Sequence, residues 1–457
     1  MTRTLSRARR ETAFVENAKK IYASLEDWYD ANPDASFGEI EAEARKQRRE
    51  LMGAGLAILV NGRDTGFQIE TPKCKKCGSE MEFVDYREWG LHGLEGDSTL
   101  ERAYYVCPDC EGETIFPLDK KLQLRADHWS EGAARVATRQ GLQTKSFDKA
   151  AEAYSDATGG SMSGDSLRRV TEGYGQAIEE QRTAEAEKVY DIKAPQSAQQ
   201  VVTVTAPIQG QANISTDGGF VLLRAEGWKE FKMSVISEVK VKTVNPNLQE
   251  TAPDPNISLV RHSYQAGLWN ADQMGQHQYL EGTRRQVENC LRLGSANDGA
   301  VWIERITTTN YPQAVQSIDW AHSKERLGNV SKAAFGEGTS QAKQWFDKQV
   351  ELLWHGRVED VVIALFALDW NKITCLDDIR NSPAYFDART PKMDYARFRQ
   401  EGYPIGSGTV ESGVNTVVHH RMKRQGRGWK RQNAQAMLAA LSELHSGRFQ
   451  AAWQSLN

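Results

Sequence analysis

The chain has no apolar run approaching the ~20 residues that a helix needs to cross a bilayer. Its first twenty residues are polar and charged, without the apolar core and cleavage site of a secretory signal. No Gly-x-Gly-x-x-Gly turn follows a strand-like segment, which argues against a dinucleotide-dependent oxidoreductase. Internal repeats are absent. The chain also lacks a decisive net charge, with 57 Lys and Arg against 61 Asp and Glu, net −4. These absences leave an intracellular globular protein of 457 residues, long enough for two to four domains.

Cysteine is scarce, and its placement is informative. Four of the six cysteines form two pairs, Cys74-x-x-Cys77 and Cys107-x-x-Cys110, separated by 29 residues of strand-like sequence. Each pair makes a tight turn that aims two thiolates at one point, and two such turns complete a tetrahedron. The expectation is a zinc ribbon whose four-sulfur shell leaves no open position, so that structural Zn²⁺ holds the fold and does not catalyse. Cys290 and Cys375 stand alone and read as small core residues.

Periodicity divides the rest. Residues 1–62 read as an N-terminal helical region, with helices expected from Thr12 to Ala31 and from Phe37 to Leu59, packing on a neighbour or a partner chain. Residues 63–120 hold the ribbon. In 121–190 a helix from Glu131 to Gln140 precedes Phe147–Tyr154, a turn at Thr158-Gly159-Gly160, and a second helix carrying Arg168 and Arg169. That layout suits a helix-turn-helix that enters a major groove, or a plain helical hairpin. The polar stretch at 191–210 reads as a linker. Beyond it, three short strands are expected at Ala212–Thr216, Phe220–Arg224 and Phe231–Val241. A helix over Gln273–Cys290, a turn at Ser295–Gly299 and a strand at Gln313–Ile318 follow, making an α/β (α+β) sheet flanked by helices. Thr339 to Tyr395 is helical, and helices at Val410–Arg421 and Gln432–Leu444 close the chain.

Three acids stand in suggestive contexts. Asp217 is expected at a strand end, before the Gly218-Gly219 turn. Asp298-Gly299 follows a helix, and Glu411 opens another. Phosphodiester chemistry needs hard oxygen ligands for Mg²⁺ (or Mn²⁺), because two such ions can activate the attacking oxygen and stabilise the leaving one. Positive charge clusters just beyond Glu411: Arg421, Lys423, Arg424, Arg427, Lys430 and Arg431 lie together without an intervening acid. Such a cluster is either a set of phosphate contacts or a solvated helix end. Trp429 among them is a base-stacking candidate or, more commonly, a packing residue, and Trp228 and Trp302 read as core.

The segments around these acids carry a resemblance. Asp217-Gly218-Gly219-Phe220-Val221-Leu222-Leu223-Arg224, with Gly227-Trp228-Lys229-Glu230 behind it, resembles the catalytic-domain opening of insertion-sequence transposases of the Kra-element family. That family is related to the Mutator-type enzymes. Asp298-Gly299-Ala300-Val301-Trp302-Ile303 is similar to the second acidic block of that family. Ile318-Asp319-Trp320-Ala321-His322 resembles its Asp-x-x-His block, and Pro404-Ile405-Gly406-Ser407-Gly408-Thr409-Val410-Glu411-Ser412 its third. The resemblance runs from the ribbon to the C-terminus.

The resemblance implies an RNase H-like catalytic fold of the DDE type. Its first part would be 211–330, interrupted by a helical insertion at 331–400 and completed by 401–457. It implies that Asp217, Asp298 and Glu411 hold two divalent ions, and that His322 contacts or orients the scissile phosphate. Residues 291–297 make a poor strand where the family has an apolar one, so Asp319 stays open as an alternative second ligand. The implied partners are double-stranded DNA, as terminal repeats and target, and further copies of the chain in a dimer or higher assembly. Neither a membrane nor another nucleic acid is implied. The implied location is the cytoplasm of a prokaryote, on its nucleoid. A nuclease without strand transfer and an inactive DNA-binding regulator are the competing readings.

Overall fold

The structure is a computed structural model that describes residues 4–190, 206–242 and 255–456. The chain is mixed α/β with two sheets. It divides into two compact units, one reaching to Gly173 and one from Tyr174 to Leu456.

The first unit opens with two long helices, α1 (Arg7–Ala31) and α2 (Phe37–Asn61). Ser36 starts α2 by a reciprocal cap: its hydroxyl accepts from the Glu39 N–H, and the Glu39 carboxylate accepts from the Ser36 N–H at 2.8 Å. Next come β1 (Glu82–His92), β2 (Asp97–Val106) and β3 (Thr114–Ile115), an antiparallel sheet in chain order. Helix α2 lies so close to β2 that a Cβ on Gly53 would sit 2.1 Å from the Asp97 carbonyl oxygen, so only glycine fits there. After α3 (Pro117–Lys121), helices α4 (Glu131–Gln143), α5 (Phe147–Thr158) and α6 (Gly164–Tyr190) follow. Ala133, Ala137, Ala150, Tyr154, Met162 and Leu167 form one buried cluster. Gly159, at φ +71°, supplies the left-handed residue that stops α5. The division between the units falls inside α6, ahead of the expected linker, of which residues 191–205 lie outside the described residues.

The second unit is built on a five-stranded sheet: β4 (Gln211–Leu223), β5 (Gly227–Lys242), β6 (Asn256–Gly267), β7 (Arg292–Asn297) and β8 (Val315–Ile318), in the order β6-β5-β4-β7-β8. β4, β5 and β6 pair antiparallel, whereas β7 and β8 run parallel to β4. Helix α7 (Ala271–Arg285) connects β6 to β7, and α8 (Val301–Asn310) connects β7 to β8. Beyond β8, α9 (Trp320–Phe335), α10 (Ser340–Trp354), α11 (Val358–Phe366), α12 (Asp377–Arg380), α13 (Ser382–Arg389) and α14 (Tyr395–Gln400) follow. They share an apolar core that includes Leu327, Leu353, Leu365 and Phe386. The chain then returns through α15 (Gly408–Gly413), wide π-type turns over Val414–His419, and α16 (His420–Met422). Helices α17 (Arg431–His445) and α18 (Phe449–Leu456) finish it.

Three sequence expectations need correction. Residues 211–223 are one strand and not two, and Gly218 and Gly219 sit inside it, paired with Lys232 and Phe231. Crowding and not a turn accounts for glycine there, most firmly at Gly219, since the Glu230 side chain beside Gly218 can swing away. A Cβ on Gly218 would meet the Glu230 carboxylate at 2.3 Å, and one on Gly219 the Phe231 ring at 2.5 Å. The hairpin turns instead at Arg224–Glu226, where Ala225 and Gly227 take positive φ. The third antiparallel strand is β6, which the alternation rule missed. Residues 295–297 end β7 and are not a turn. Leu293–Asn297 are all buried, and their small side chains fit a central strand with neighbours on both edges.

Candidate active site

Asp217 lies midway along β4, half-buried, with Gly218 N–H donating to its Oδ1 at 2.7 Å. The strand opens at this level. Direct β4–β7 pairing ends at Asn213 opposite Gly294. Side chains then replace the ladder: Ser215 Oγ donates to the Ala296 carbonyl at 2.8 Å, and Thr216 N–H donates to Asn297 Oδ1 at 2.7 Å. β4 and β7 therefore part at this level, with Asp217 inside one and Asp298 just beyond the end of the other. Asp298 accepts from Ala300 N–H at 2.9 Å, and Gly299 turns with φ +86°.

Asp319 caps α9 and is buried to 2% exposure. Four donors surround its carboxylate: His322 N–H at 2.8 Å, His322 Nδ1 at 3.0 Å, Ser407 N–H at 2.6 Å and Ser407 Oγ at 3.1 Å. The Ser407 hydroxyl also lies 2.9 Å from Glu411 Oε1, one helical turn on. With a single proton it donates to one carboxylate at a time. Asp319 thus ties the start of α9 to the start of α15 and sets where Glu411 stands. One ligand atom from each of Asp319, His322 and Glu411 falls within 4.8 Å of the others.

The charges respond to one another. Burial raises the Asp217 carboxyl to about 6, with the Asp298 and Glu411 charges adding to the rise. Asp319 moves the other way, to about 2: burial would raise it, but the His322 and Ser407 donors outweigh that. The bond to Asp319 lifts His322 to about 9, and the Asp298 and Glu411 charges contribute. At neutral pH the ring is an imidazolium. Asp217 is thus within electrostatic reach of both expected partner acids. The carboxylate oxygens suit a hard divalent cation, whereas the protonated His322 ring has no lone pair to offer one.

The four sulfurs of Cys74, Cys77, Cys107 and Cys110 also lie within 4.8 Å of one another. Cys77 Sγ and Cys107 Sγ are 3.5 Å apart, near the ~3.8 Å edge of a tetrahedron with zinc–sulfur bonds of about 2.3 Å. Each turn closes on a left-handed glycine, Gly78 and Gly112. The Cys74 carbonyl accepts from Gly78 N–H at 2.9 Å, and Cys107 N–H donates to the Glu113 carbonyl at 2.9 Å. These residues could bind a structural zinc.

The basic residues are placed unevenly. Helix α16 ends at Met422, so Lys423 and Arg424 are not on the Glu411 helix. Arg421 is buried, its guanidinium 5.5 Å from the Trp429 ring centre, so its charge is not offered at the surface as expected. Lys423, Arg427 and Lys430 are exposed, while Arg431 pairs with Glu226 at 2.6 Å. Trp429 is pinned as a short extension beside β4. Its N–H donates to the Leu222 carbonyl, and its indole N–H to the Met422 carbonyl. Trp228 is 54% exposed and not core, whereas Trp302 is half-buried against Trp269, Met274 and Ile306. In the first unit, Arg168 pairs with Asp165 and Glu172, and Arg169 with Asp165, all on α6. Cys290 packs beside the Ile214 cluster, and Cys375 is half-buried.

Reading the sequence missed Ser407, Asn297 and Ser215 as parts of this site. A signal existed for Ser407, which stands four residues before Glu411 and so shares its face. None existed for the other two, whose roles depend on strand register. No family model matches the chain, and no curated protein does. No helix among the described residues is long and apolar enough to cross a membrane.

Proposed function

We propose that the chain is a DNA transposase of the DDE type, with an RNase H-like catalytic unit. One observation carries the reading: Asp217 in β4 feels the charges of both Asp298, after β7, and Glu411, on α15. The sheet order, three antiparallel strands followed by two parallel ones, supports the fold assignment. Asp217, Asp298 and Glu411 would hold two Mg²⁺ or Mn²⁺ ions. Bound there, the ions supply charge neutralisation and activation of the attacking oxygen.

Asp298 is preferred over Asp319 as second ligand on hydrogen-bond grounds. Three donors hold the Asp319 carboxylate, and the Ser407 hydroxyl is a fourth that it shares with Glu411, which leaves few of its lone pairs for a cation. Asp319 is then a positioning residue for His322 and Glu411. The His322 imidazolium, held by Asp319 on one edge, would donate to a phosphate oxygen from the other.

The reaction would be hydrolysis at element ends, then attack of the freed 3′-hydroxyl on target DNA, both in-line displacements at phosphorus. Zn²⁺ in the ribbon would be structural. DNA would be gripped by Lys423, Arg427 and Lys430, and by the α5–α6 region. The enzyme would work on the nucleoid in the cytoplasm. The test is incubation with DNA carrying the sequences that flank the gene, in Mg²⁺ or Mn²⁺. Cleaved and joined products support the proposal. Cleavage without joining makes it a nuclease, and binding without cleavage makes it a regulator.

A further inference from the structure

Helix α1 has no buried residue along its 25 positions, although it carries several large apolar side chains. Val15, Tyr22 and Tyr29 recur every seven residues, so they form one stripe along the helix. They are 43%, 64% and 46% exposed. Phe14 borders this stripe and faces a groove shared with Met52, Leu56 and Leu59 of α2, three residues at helical spacing that are also exposed. Isolated exposed apolar residues are ordinary, but a heptad stripe beside an apolar groove on two paired helices marks a contact surface.

The charges beside that band are segregated. Arg7, Arg10 and Arg63 line the groove at one end, with Glu11 the acid among them. The last eleven residues of α1, beyond Lys19 and Lys20 at its middle, carry Glu26, Asp27 and Asp30 and no basic residue. Such a helix repels a parallel copy of itself and attracts an antiparallel one, because each basic end then meets an acidic end. A two-fold pairing of this kind is self-complementary. A 25-residue helix is about 37 Å long, so two hairpins laid side by side give the dimensions of a four-helix bundle.

We infer that the outer face of the α1–α2 hairpin is a self-association surface, on which a second copy of this chain docks antiparallel. The inference is independent of the proposed chemistry, since none of its residues belongs to the carboxylate site. The apolar stripe supplies affinity and the charged ends set the direction.

The experiment uses the full chain without DNA, and sedimentation or light scattering across a range of concentrations. Wild type is expected to dimerise. Arg7→Glu with Arg63→Glu, and separately Glu26→Lys with Asp30→Lys, should each weaken self-association roughly tenfold or more. All four positions are exposed, so the fold should persist, and circular dichroism checks it. Mixing the two variants should restore dimers, because each then offers the charge that the other lacks. A wild-type chain that stays monomeric overturns the inference. So does a pair of variants that dimerise as wild type does, or a mixture that gains nothing.

Discussion

The cysteine cluster and the acidic cluster are assembled on opposite terms. The four sulfurs arrive from two turns of four residues each, closed by glycines and by their own backbone hydrogen bonds. Asp217, Asp298 and Glu411 stand in a strand interior, just past a strand end and on a helix start, and Asp217 feels the charges of the other two across the fold. Thiolates can share a soft cation within a local motif. Burial raises the Asp217 carboxyl here, and the Asp298 and Glu411 charges add to the rise, so keeping it ionised costs free energy until a cation is present. A cluster whose members repel is a cost to folding, and such costs persist where function needs them.

The largest effect should come from breaking that repulsion. Asp217→Asn and Glu411→Gln should each lower metal-dependent cleavage by on the order of 10³-fold. Asp217→Asn should at the same time stabilise the chain in a chelator. The sign follows from the direction of the shift. A carboxyl raised to about 6 binds its proton more tightly folded than unfolded, so its ionisation destabilises the fold as pH rises from about 4 to 6. Melting at pH 7.5 should therefore rise by a few degrees in the variant, and melting at pH 4 should not change. A variant that melts lower at pH 7.5 would mean that Asp217 is not under charge stress.

The opposite behaviour is expected at the sulfurs. Cys107→Ser, at a buried position, should abolish zinc binding and cost several kcal/mol in the ribbon, as in other structural zinc sites. Metal analysis should show the loss of one equivalent. Hydrogen exchange should show β1 and β2 opening while β4 and β5 stay protected. Unchanged protection in β1 would show that this sheet stands without the ion.

Sequence spacing made the cysteines legible because a Cys-x-x-Cys turn is a local event. It made α1, α2, α4 and the break after α5 legible for the same reason, through periodicity and a stop glycine. It failed at β7, where Arg292-Leu293-Gly294-Ser295-Ala296-Asn297 carries too little apolar character to read as a strand. That strand is chosen by fit: small residues pass between β4 and β8, and Ser295 and Asn297 find hydrogen-bond partners inside. It failed again at Gly218-Gly219, where a cue for a turn is in fact a cue for close cross-strand packing. The sequence singled out the acids by their contexts but not the support beneath them, because Asp319, Ser407 and Asn297 act across elements distant in sequence.

Asp319 sharpens the contrast, since its carboxylate is held by donors and not opposed by acids. Asp319→Asn should lower the His322 pKa from about 9 toward the ordinary imidazole value of 6.5, read by NMR titration. A raised histidine stabilises the fold fully below about 6.5 and loses that contribution as pH climbs through 9. A depressed Asp319 contributes above about 4 and loses it toward pH 2. The pair's contribution is therefore full between about pH 4 and 6.5 and fades by about 9, and the variant should lose most stability in the lower window. Cleavage should fall about tenfold, far less than for Asp217, if Asp319 positions and does not ligate. A loss equal to that of Asp217→Asn would make Asp319 the second ligand.

The smallest effects separate charges that are free for a partner from charges already spent. On the proposed reading, Lys423, Arg427 and Lys430 meet DNA phosphates, and each should contribute close to one counterion to the salt dependence of binding. Arg427→Ala should therefore weaken binding modestly and flatten the plot of log affinity against log salt by about one. Arg168 is different, because Asp165 and Glu172 flank its guanidinium on the same helix, at 2.6 Å each. To reach a phosphate it must leave both carboxylates, which offsets most of what it would gain. Arg168→Ala should leave the slope unchanged within error, and Asp165→Asn should steepen it by freeing Arg169, while Glu172 still holds Arg168. If Arg168→Ala flattens the slope as much as Arg427→Ala does, α6 rearranges on DNA. Its second turn would then be a recognition surface and not a self-neutralised helix start.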